Sequence, residues 1–435
     1  MTRRILLAAG FILAAGARVA ASDLNENELF STPVLSTRAA VDAFPAEEKT
    51  SVKFSGAVLS VFEVYGVRGS TDSSHHSYLV GTAFLDARMK NGIKAFANAE
   101  VQVDPQASST TYNVRELFID FNLNRRVYVR TGKQVLQWGR CTLWNPTDLV
   151  NVEKQPFIRK IGAREGAYGL KLHAPFGAEK NVYGFLDTGR APTTDDLGGA
   201  LKFEFLLGRT EMAFSGWAKK TYNPVAGYDF STRIGDVDIV GEASVSKGDN
   251  VRKVVLEDGV LDVQRNEKEW APLAAVNMSK GFRLGNFNDR LRVGGEFFYN
   301  RPGYKKHFFD DSTVYPFRTP LILHDASGTA VTLPAGTKAV YLLGNNLYTM
   351  NYFSRYYGAL FTSVGRFIVS DMTLNVNYIR NCDDGTGILS TGVTYTNLSD
   401  LTLGLLVNTF TGPRNGEYTY LKVTYDVQLT AGVSF

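Results

Sequence analysis

The chain is poor in the residues that build small covalent or metal-held scaffolds. Its 435 residues include two cysteines, Cys141 and Cys382. So few exclude a disulfide-framed miniprotein and a multi-cysteine zinc or iron–sulfur site. Prolines number 14 while aromatics reach 12%, which fits neither a collagen-like nor a disordered chain. The five histidines, His75, His76, His173, His307 and His324, are scattered. Only His173 lies well inside a strand-like segment, with no nucleophile motif near it, so no catalytic constellation or dedicated metal site is expected. The chain thus reads as a non-enzyme with no cofactor. No segment supplies 18 consecutive apolar residues, so no helix is expected to cross a membrane. Charge of either sign is also scarce in excess. The formal net charge is +4, and without Arg3, Arg4 and Arg18 the count is 44 basic against 43 acidic residues. That balance argues against a nucleic-acid partner, which would call for a basic face.

What is present begins with an export signal. Arg3 and Arg4 precede an apolar run from Ile5 to Ala17, and Val19-Ala20-Ala21 offers small residues for cleavage before Ser22. We therefore expect a signal peptide over 1–21 and a periplasmic leader over 22–50, with one short helix around Arg38 to Ala43. An exported chain without a helical span is either soluble or an outer-membrane barrel.

From Ser51 onward the apolar period becomes two, the mark of a strand with one greasy and one wet face. Leu117, Ile119, Phe121 and Leu123 alternate with Glu116, Phe118, Asp120 and Asn122. Leu291, Val293, Phe297 and Tyr299 alternate with Arg290, Arg292, Glu296 and Phe298, and the same pattern recurs over 93–104 and 401–408. Eighteen such segments can be placed, near 51–65, 76–87, 93–104, 113–123, 126–136, 166–174, 180–188, 198–207 and 210–220, then 228–234, 237–247, 268–281, 288–300, 347–363, 365–380, 386–396, 399–410 and 417–435. The least regular is 228–234, and its loss with a neighbour would leave 16. Connections after even-numbered strands are short, for instance Asn124–Arg125 and Gly208–Arg209. Those after odd-numbered strands run long, up to 137–165, 248–267 and 301–346. A membrane barrel sorts its connections this way, and a β-sandwich has no reason to. Residues 51–435 are accordingly expected to form an all-β transmembrane antiparallel β-barrel of about 18 strands. Closure follows because an open sheet in hydrocarbon would leave two unpaired edges.

The last strand alternates from Leu421 to Phe435 and ends on an aromatic. It resembles the terminal strand of Gram-negative outer-membrane proteins, which implies recognition by the barrel-assembly machinery. The segment Val129 to Asp148, VRTGKQVLQWGRCTLWNPTD, carries Gly132-Lys133-Gln134, Trp138-Gly139 and Asn145-Pro146-x-Asp148. This resembles a motif of porin-like outer-membrane families, including alginate-export-type relatives.

A long loop after an upward strand can fold inward and narrow a pore. Lys133, Arg140, Lys154, Arg159, Lys160 and Arg164 make this one basic, opposed by Asp148, Glu153 and Glu165. The expectation is a constriction favouring anionic or polar solutes, the alternative an ordinary loop stapled at the rim. Lumen-facing candidates of both signs are Lys94, Glu100, Asp120, Arg130, Lys171, Asp187, Lys202, Glu204, Glu242, Arg290, Arg292 and Glu296. Rings of charge set pore selectivity, while paired charges brace a wall. Export permits a Cys141–Cys382 bridge, with two free thiols as the alternative. Tyrosines from Tyr348 to Tyr357 suit either sugar stacking or interfacial anchoring.

The sequence thus points to an outer-membrane channel of a Gram-negative-type bacterium, embedded in lipid and passing small polar solutes by passive or weakly selective diffusion. Rival readings are a specific transporter of polysaccharide or anionic solutes, and a surface adhesin acting through 248–267 and 301–346.

Overall fold

The computed structural model describes residues 50–70, 73–136, 138–148, 166–189, 191, 193–305, 308–324, 330–397 and 400–435. The expected signal peptide and nearly all of the leader, together with Arg159 and Arg164, lie outside the described residues. Alternating sequence becomes extended chain at every expected place. The first part of the fold holds β1 (Ser51–Val67), β2 (Ser73–Arg88), β3 (Lys94–Asp104), β4 (Ser109–Leu123), β5 (Val127–Gln134) and β6 (Ala167–Phe176). It continues with β7 (Lys180–Asp187), β8 (Gly198–Leu207), β9 (Thr210–Lys219), β10 (Val225–Ile234) and β11 (Val237–Ser246). An excursion carrying β12 (Lys253–Glu257) and β13 (Val260–Gln264) precedes β14 (Leu273–Leu284) and β15 (Phe287–Asn300). A second one carries β16 (Tyr315–His324), β17 (Ala330–Gly336) and helix α1 (Lys338–Gly344). The chain ends with β18 (Tyr356–Gly365), β19 (Met372–Asn381), β20 (Gly387–Thr396), β21 (Leu401–Thr411) and β22 (Val423–Ser434).

Eighteen of these, all but β12, β13, β16 and β17, pair antiparallel with their neighbours in one sheet. β22 returns to β1, with Val61 opposite Thr430, and so closes the ring. Gly56 and Phe435 exchange both backbone hydrogen bonds at 2.8 and 2.9 Å, zipping the chain end onto the first strand. A closed ring leaves no edge, so the ladder satisfies the strands' peptide groups without water. At the side with short connections, Asn124 and Arg125 take φ of 52° and 57°. The Asn122 side chain accepts from the Arg125 N–H at 3.1 Å and fixes that turn.

The two faces are inverted relative to a soluble protein. On β4, Leu117 and Ile119 are 58% and 47% exposed while Phe118 between them is 5% exposed. On β15, Phe297 is exposed while Glu296 and Phe298 are buried. Buried polar residues such as Glu100, Glu242, Asn408 and Asp426 fill the inside. Apolar side chains outside and hydrogen-bonded polar ones inside suit a hydrocarbon surround and a wet lumen.

Several expected strand boundaries shift, among them the start expected at 268, which falls at Leu273. The strand expected over 347–363 begins only at Tyr356, because 347–355 belongs to the second excursion. The turn expected at Val364–Gly365 falls instead at 366–371, where Arg366 and Ile368 adopt positive φ. The last strand starts at Val423 rather than near 417, since 412–422 is loop. The least regular segment, 228–234, is a full member of the ring within β10.

The long excursions are not bare loops. They pack as a small cap: a four-stranded sheet ordered β12-β13-β16-β17, with one parallel contact between Leu261 and Phe317. Its own core includes Leu261, Phe309, Phe317, Leu321, Tyr341, Leu342 and Phe353. The apolar stretches of 301–346 are therefore interior packing. Thr337 caps α1, its side chain accepting from the Val340 N–H.

Candidate functional site

The segment Val135 to Asp148 leaves the top of β5 and folds into the lumen, and the sequence motif supplies the geometry. Gly132 sits at φ 122°, and a Cβ there would lie 2.2 Å from the Leu117 carbonyl, so only glycine allows β5 to bend. Gln134, fully buried, donates to the Gly169 carbonyl at 3.2 Å. A Cβ at Gly139 would strike the Asn145 side chain. The Asp148 N–H donates to the Asn145 carbonyl at 3.0 Å, closing a turn at Asn145-Pro146. Asp148 and Asn145 are buried.

Two wall carboxylates bind the backbone of this segment. Glu242 on β11 accepts from the N–H groups of Arg140, Cys141 (2.6 Å) and Thr147 (3.1 Å), and from the Thr147 hydroxyl at 2.8 Å. Glu296 on β15 accepts from Thr142 (2.9 Å), Leu143 (3.1 Å) and Trp144 (2.6 Å) N–H groups, and from Asn277 Nδ2 at 3.0 Å. Each carboxylate thus replaces water for several peptide donors, bonds strengthened by the formal charge. Trp144 lies nearly parallel to Phe298, with centroids 5.4 Å apart and planes 7° apart, and also touches Tyr357. Leu136 and Trp138 pack with Phe185, Ala200 and Trp217.

Arg140 has the densest polar surroundings. Its guanidinium reaches Asp229 through Nε, Glu211 through Nη1 at 2.6 Å and Glu204 through Nη2 at 2.7 Å. Lys202 adds a second cation, with Nζ 3.0 Å from Asp229 and 2.7 Å from the Trp138 carbonyl. Arg140 is therefore neutralised by three carboxylates and is no free pore cation. This corrects the expectation of a basic constriction at that position. The contact holds because β8, β9 and β10 each bring one acid to the same depth.

The remaining expected site residues divide. Arg130 and Asp120 pair at 2.6 and 2.8 Å, with Arg130 over the Phe118 ring at 3.9 Å. Glu100 meets Arg115 at 3.0 Å, both buried. Lys133 is buried, its ammonium 5.4 Å from the Tyr168 ring centre, so it belongs to the wall. Arg290 donates to the Gly365 and Arg366 carbonyls and braces a short turn. Arg292 shares the lumen face of β15 with Glu296 and stands opposite Ser363. Both cysteines are free thiols: Cys141 is buried within the lumen segment, while Cys382 is exposed beyond the end of β19. The candidate bridge is therefore not formed, and the alternative of two free thiols is what the structure holds. Sequence reasoning missed Asp229, Glu211 and Arg115. The parity of Asp229 with Ser231 and Gly227 was the available signal.

Along β5 to β7 the lumen face carries a row of aromatic rings. Tyr128 is 44% exposed, and its ring, that of His173 and that of Tyr183 follow one another at 5.8 and 4.5 Å. Lys171 lies beside them, 5.6 Å from the Tyr183 ring centre.

Above the segment, Glu417 ties the mouth together. It is buried and accepts from Tyr348 Oη (3.3 Å), the Asn351 N–H (3.1 Å), Tyr357 Oη (2.7 Å) and Asn381 Nδ2 (2.8 Å). The tyrosines at 348 and 357 thus serve this knot rather than stacking on a solute. Burial pushes the Glu417 carboxyl up to about 8, with nearby Asp384 adding to the rise and the donated hydrogen bonds opposing it. A carboxyl raised on folding contributes stability that is full below its unfolded value near 4.5 and declines as pH climbs to about 8. Thermal unfolding midpoints should therefore fall more steeply between pH 5 and 8.5 in the native chain than in Glu417→Gln. Equal slopes would remove Glu417 from the account.

Known protein-family models do not match the chain, and no curated protein matches it either. Solved structures do. The crystal structure of OccK5 (OpdH) from Pseudomonas aeruginosa superposes with a TM-score of 0.52 at 10% identity, covering 88% of this chain and 98% of that one. OccAB1 from Acinetobacter baumannii gives 0.51 at 11% identity, covering 88% and 96%. OccK2 (OpdF) from P. aeruginosa, solved in complex with glucuronate, gives 0.50 at 12% identity, covering 88% and 98%. At such identities the likeness establishes the fold.

Proposed function

We propose that this chain is an outer-membrane channel through which small polar solutes diffuse, narrowed by the inward segment 135–148. One observation carries the reading: a closed ring, apolar outside and polar inside, with the inward segment 135–148 bonded to the lumen wall. The barrels it resembles are Gram-negative outer-membrane porins. Solutes would pass between the anchored segment and the wall of β4 to β6, where Tyr128 is 44% exposed. No covalent step or cofactor enters this reading. The terminal strand ending at Phe435 would serve recognition by the barrel-assembly machinery, as its resemblance implies.

Weak preference for anions is the selectivity this lumen supports. The acids on β8 to β15 are occupied by Arg140, Lys202 and the segment's N–H groups, whereas Lys94, Arg130 and Lys171 line the open side with Asp86 and Asp120. The glucuronate held by OccK2 is a solute of that kind. A dedicated polysaccharide path of the alginate-export type would need a continuous basic track. The pairing of Arg130 with Asp120 and of Arg140 with three acids speaks against one. In planar bilayers the purified chain should give discrete conductance steps with a reversal potential on the anion side. Silent bilayers, with the chain folded and inserted, would sink the proposal.

A further inference from the structure

The rim with the short connections carries a turn that conduction does not use. Between β18 and β19, residues 366–371 hold Ile368 at φ 63°. That left-handed conformation costs a β-branched residue free energy. The Val369 N–H donates to the Phe367 carbonyl at 2.7 Å and closes a tight turn around Ile368. Ile368 is nonetheless 80% exposed and Val369 45%, so the strained turn presents apolar side chains to no partner within the chain. At the strand ends beneath it, Val364 lies opposite Leu291 and Leu374. The tip therefore prolongs the apolar outer belt past the last ladder pairs.

Beside the tip, the end of β15 brings up Phe287, which is exposed. Two guanidinium groups attend its ring, Arg366 at 4.2 Å from the ring centre and Arg290 at 5.7 Å. Arg290 is fixed by donating to the Gly365 carbonyl at 3.3 Å and the Arg366 carbonyl at 2.9 Å, which leaves most of its N–H groups unused. The Arg366 side chain makes no hydrogen bond or ion pair among the described residues, and neither arginine meets a carboxylate. Residues 281–292 and 364–373, all of them described, carry Arg283, Arg290, Arg292 and Arg366 against Asp289 and Asp371. Asp289 is turned against Gly281, and Asp371 accepts from the Ser370 hydroxyl at 2.9 Å.

We propose that this rim seats an anionic glycerophospholipid of the periplasmic leaflet. Its phosphodiester would lie between Arg290 and Arg366, whose planar N–H forks match phosphate oxygens. Its acyl chains would follow Val364 and Leu291, with Ile368, Val369 and Phe287 at the depth of the glycerol, where apolar and aromatic side chains leave water. Basic clusters beside a hydrocarbon belt select charged headgroups in this way. A zwitterionic lipid brings the same phosphate with a cation attached, which the arginines repel. The inference needs the barrel to lie in a membrane but not to conduct, and its test reads lipid retention rather than current.

The test uses the full chain folded in uncharged maltoside micelles, titrated with dioleoyl phosphatidylglycerol, dioleoyl phosphatidylcholine or inorganic phosphate, with retained lipid followed by native mass spectrometry. Phosphatidylglycerol should bind about ten-fold more tightly than phosphatidylcholine. Arg366→Ala should weaken it by about ten-fold, as loss of one forked charged contact requires. Ile368→Gly relieves the left-handed strain, so it should keep or raise the unfolding temperature while retaining less phosphatidylglycerol. Arg125→Ala, at an exposed position on another short connection, should leave retention as it was. Heat-dependent gel migration would confirm that each variant keeps the barrel. Equal retention of the two lipids, displacement of phosphatidylglycerol by equimolar inorganic phosphate, an equal loss in Arg125→Ala, or full retention in both Arg366→Ala and Ile368→Gly would overturn the proposal.

Discussion

Replacing Arg140 by alanine is expected to swing the ion preference toward cations and to raise the conductance. The guanidinium is the shared partner of Glu204, Glu211 and Asp229, and Asp229 is fully buried. Removing one member of a buried charged group leaves the others uncompensated, at a cost of about 3–5 kcal/mol. A lumen offers a cheaper escape than unfolding: water and cations enter and hydrate the freed acids. The inward segment then loses one of its anchors. Arg140→Lys keeps the charge but not the three-way fork, so an intermediate shift is expected. Reversal potentials in asymmetric salt decide the matter, and an unchanged anion preference in Arg140→Ala would contradict the assignment.

Glu296→Ala should have the largest effect on pore size. Three consecutive N–H groups, at Thr142, Leu143 and Trp144, lose their common acceptor. Each buried donor left without a partner costs about 1–3 kcal/mol. The Trp144 stack on Phe298 also loses the clamp that holds its backbone in place. The segment should swing from the wall, and conductance should rise by about two-fold or more, since the narrowest point governs flow. Glu296→Gln keeps one acceptor oxygen and should fall between the two. Conductance equal to the native value in Glu296→Ala would show that the segment is not held by this residue.

Much of this architecture was legible because a membrane strand writes its two faces into alternate residues. The alternation of Leu117 to Leu123 and of Leu291 to Tyr299 placed those strands and their inner faces correctly. So did the sorting of short and long connections. The cap was not legible, since apolar residues such as Leu321, Tyr341 and Leu342 find partners within loops, where no fixed period marks them. The same blindness misplaced the start of β18: the tyrosines of 348–352 look like strand residues but pack beneath the cap.

The site was half visible. Parity put Glu242 and Glu296 in the lumen, yet their partners are peptide N–H groups about a hundred or more residues away, which no side-chain pattern reports. Arg140 was visible as a positive charge and invisible as a neutralised one, because its acids come from β8, β9 and β10. The segment Gly132 to Asp148 stood out in the sequence only as a resemblance. Its glycines and its Asn-Pro turn are what allow the chain to turn inward.

Asn351 belongs to the outer knot and to the inner segment together. Its N–H donates to Glu417, its carbonyl accepts from Trp144 Nε1 at 2.8 Å, and its side-chain oxygen accepts from Tyr418. The outer surface and the narrow point are thus geared to one another through Asn351, with Tyr357 beside it. Surface loops transplanted from another barrel would bring a foreign gear with them. Any exchange that ignores Asn351 would therefore shift the inner segment along with the outer loops.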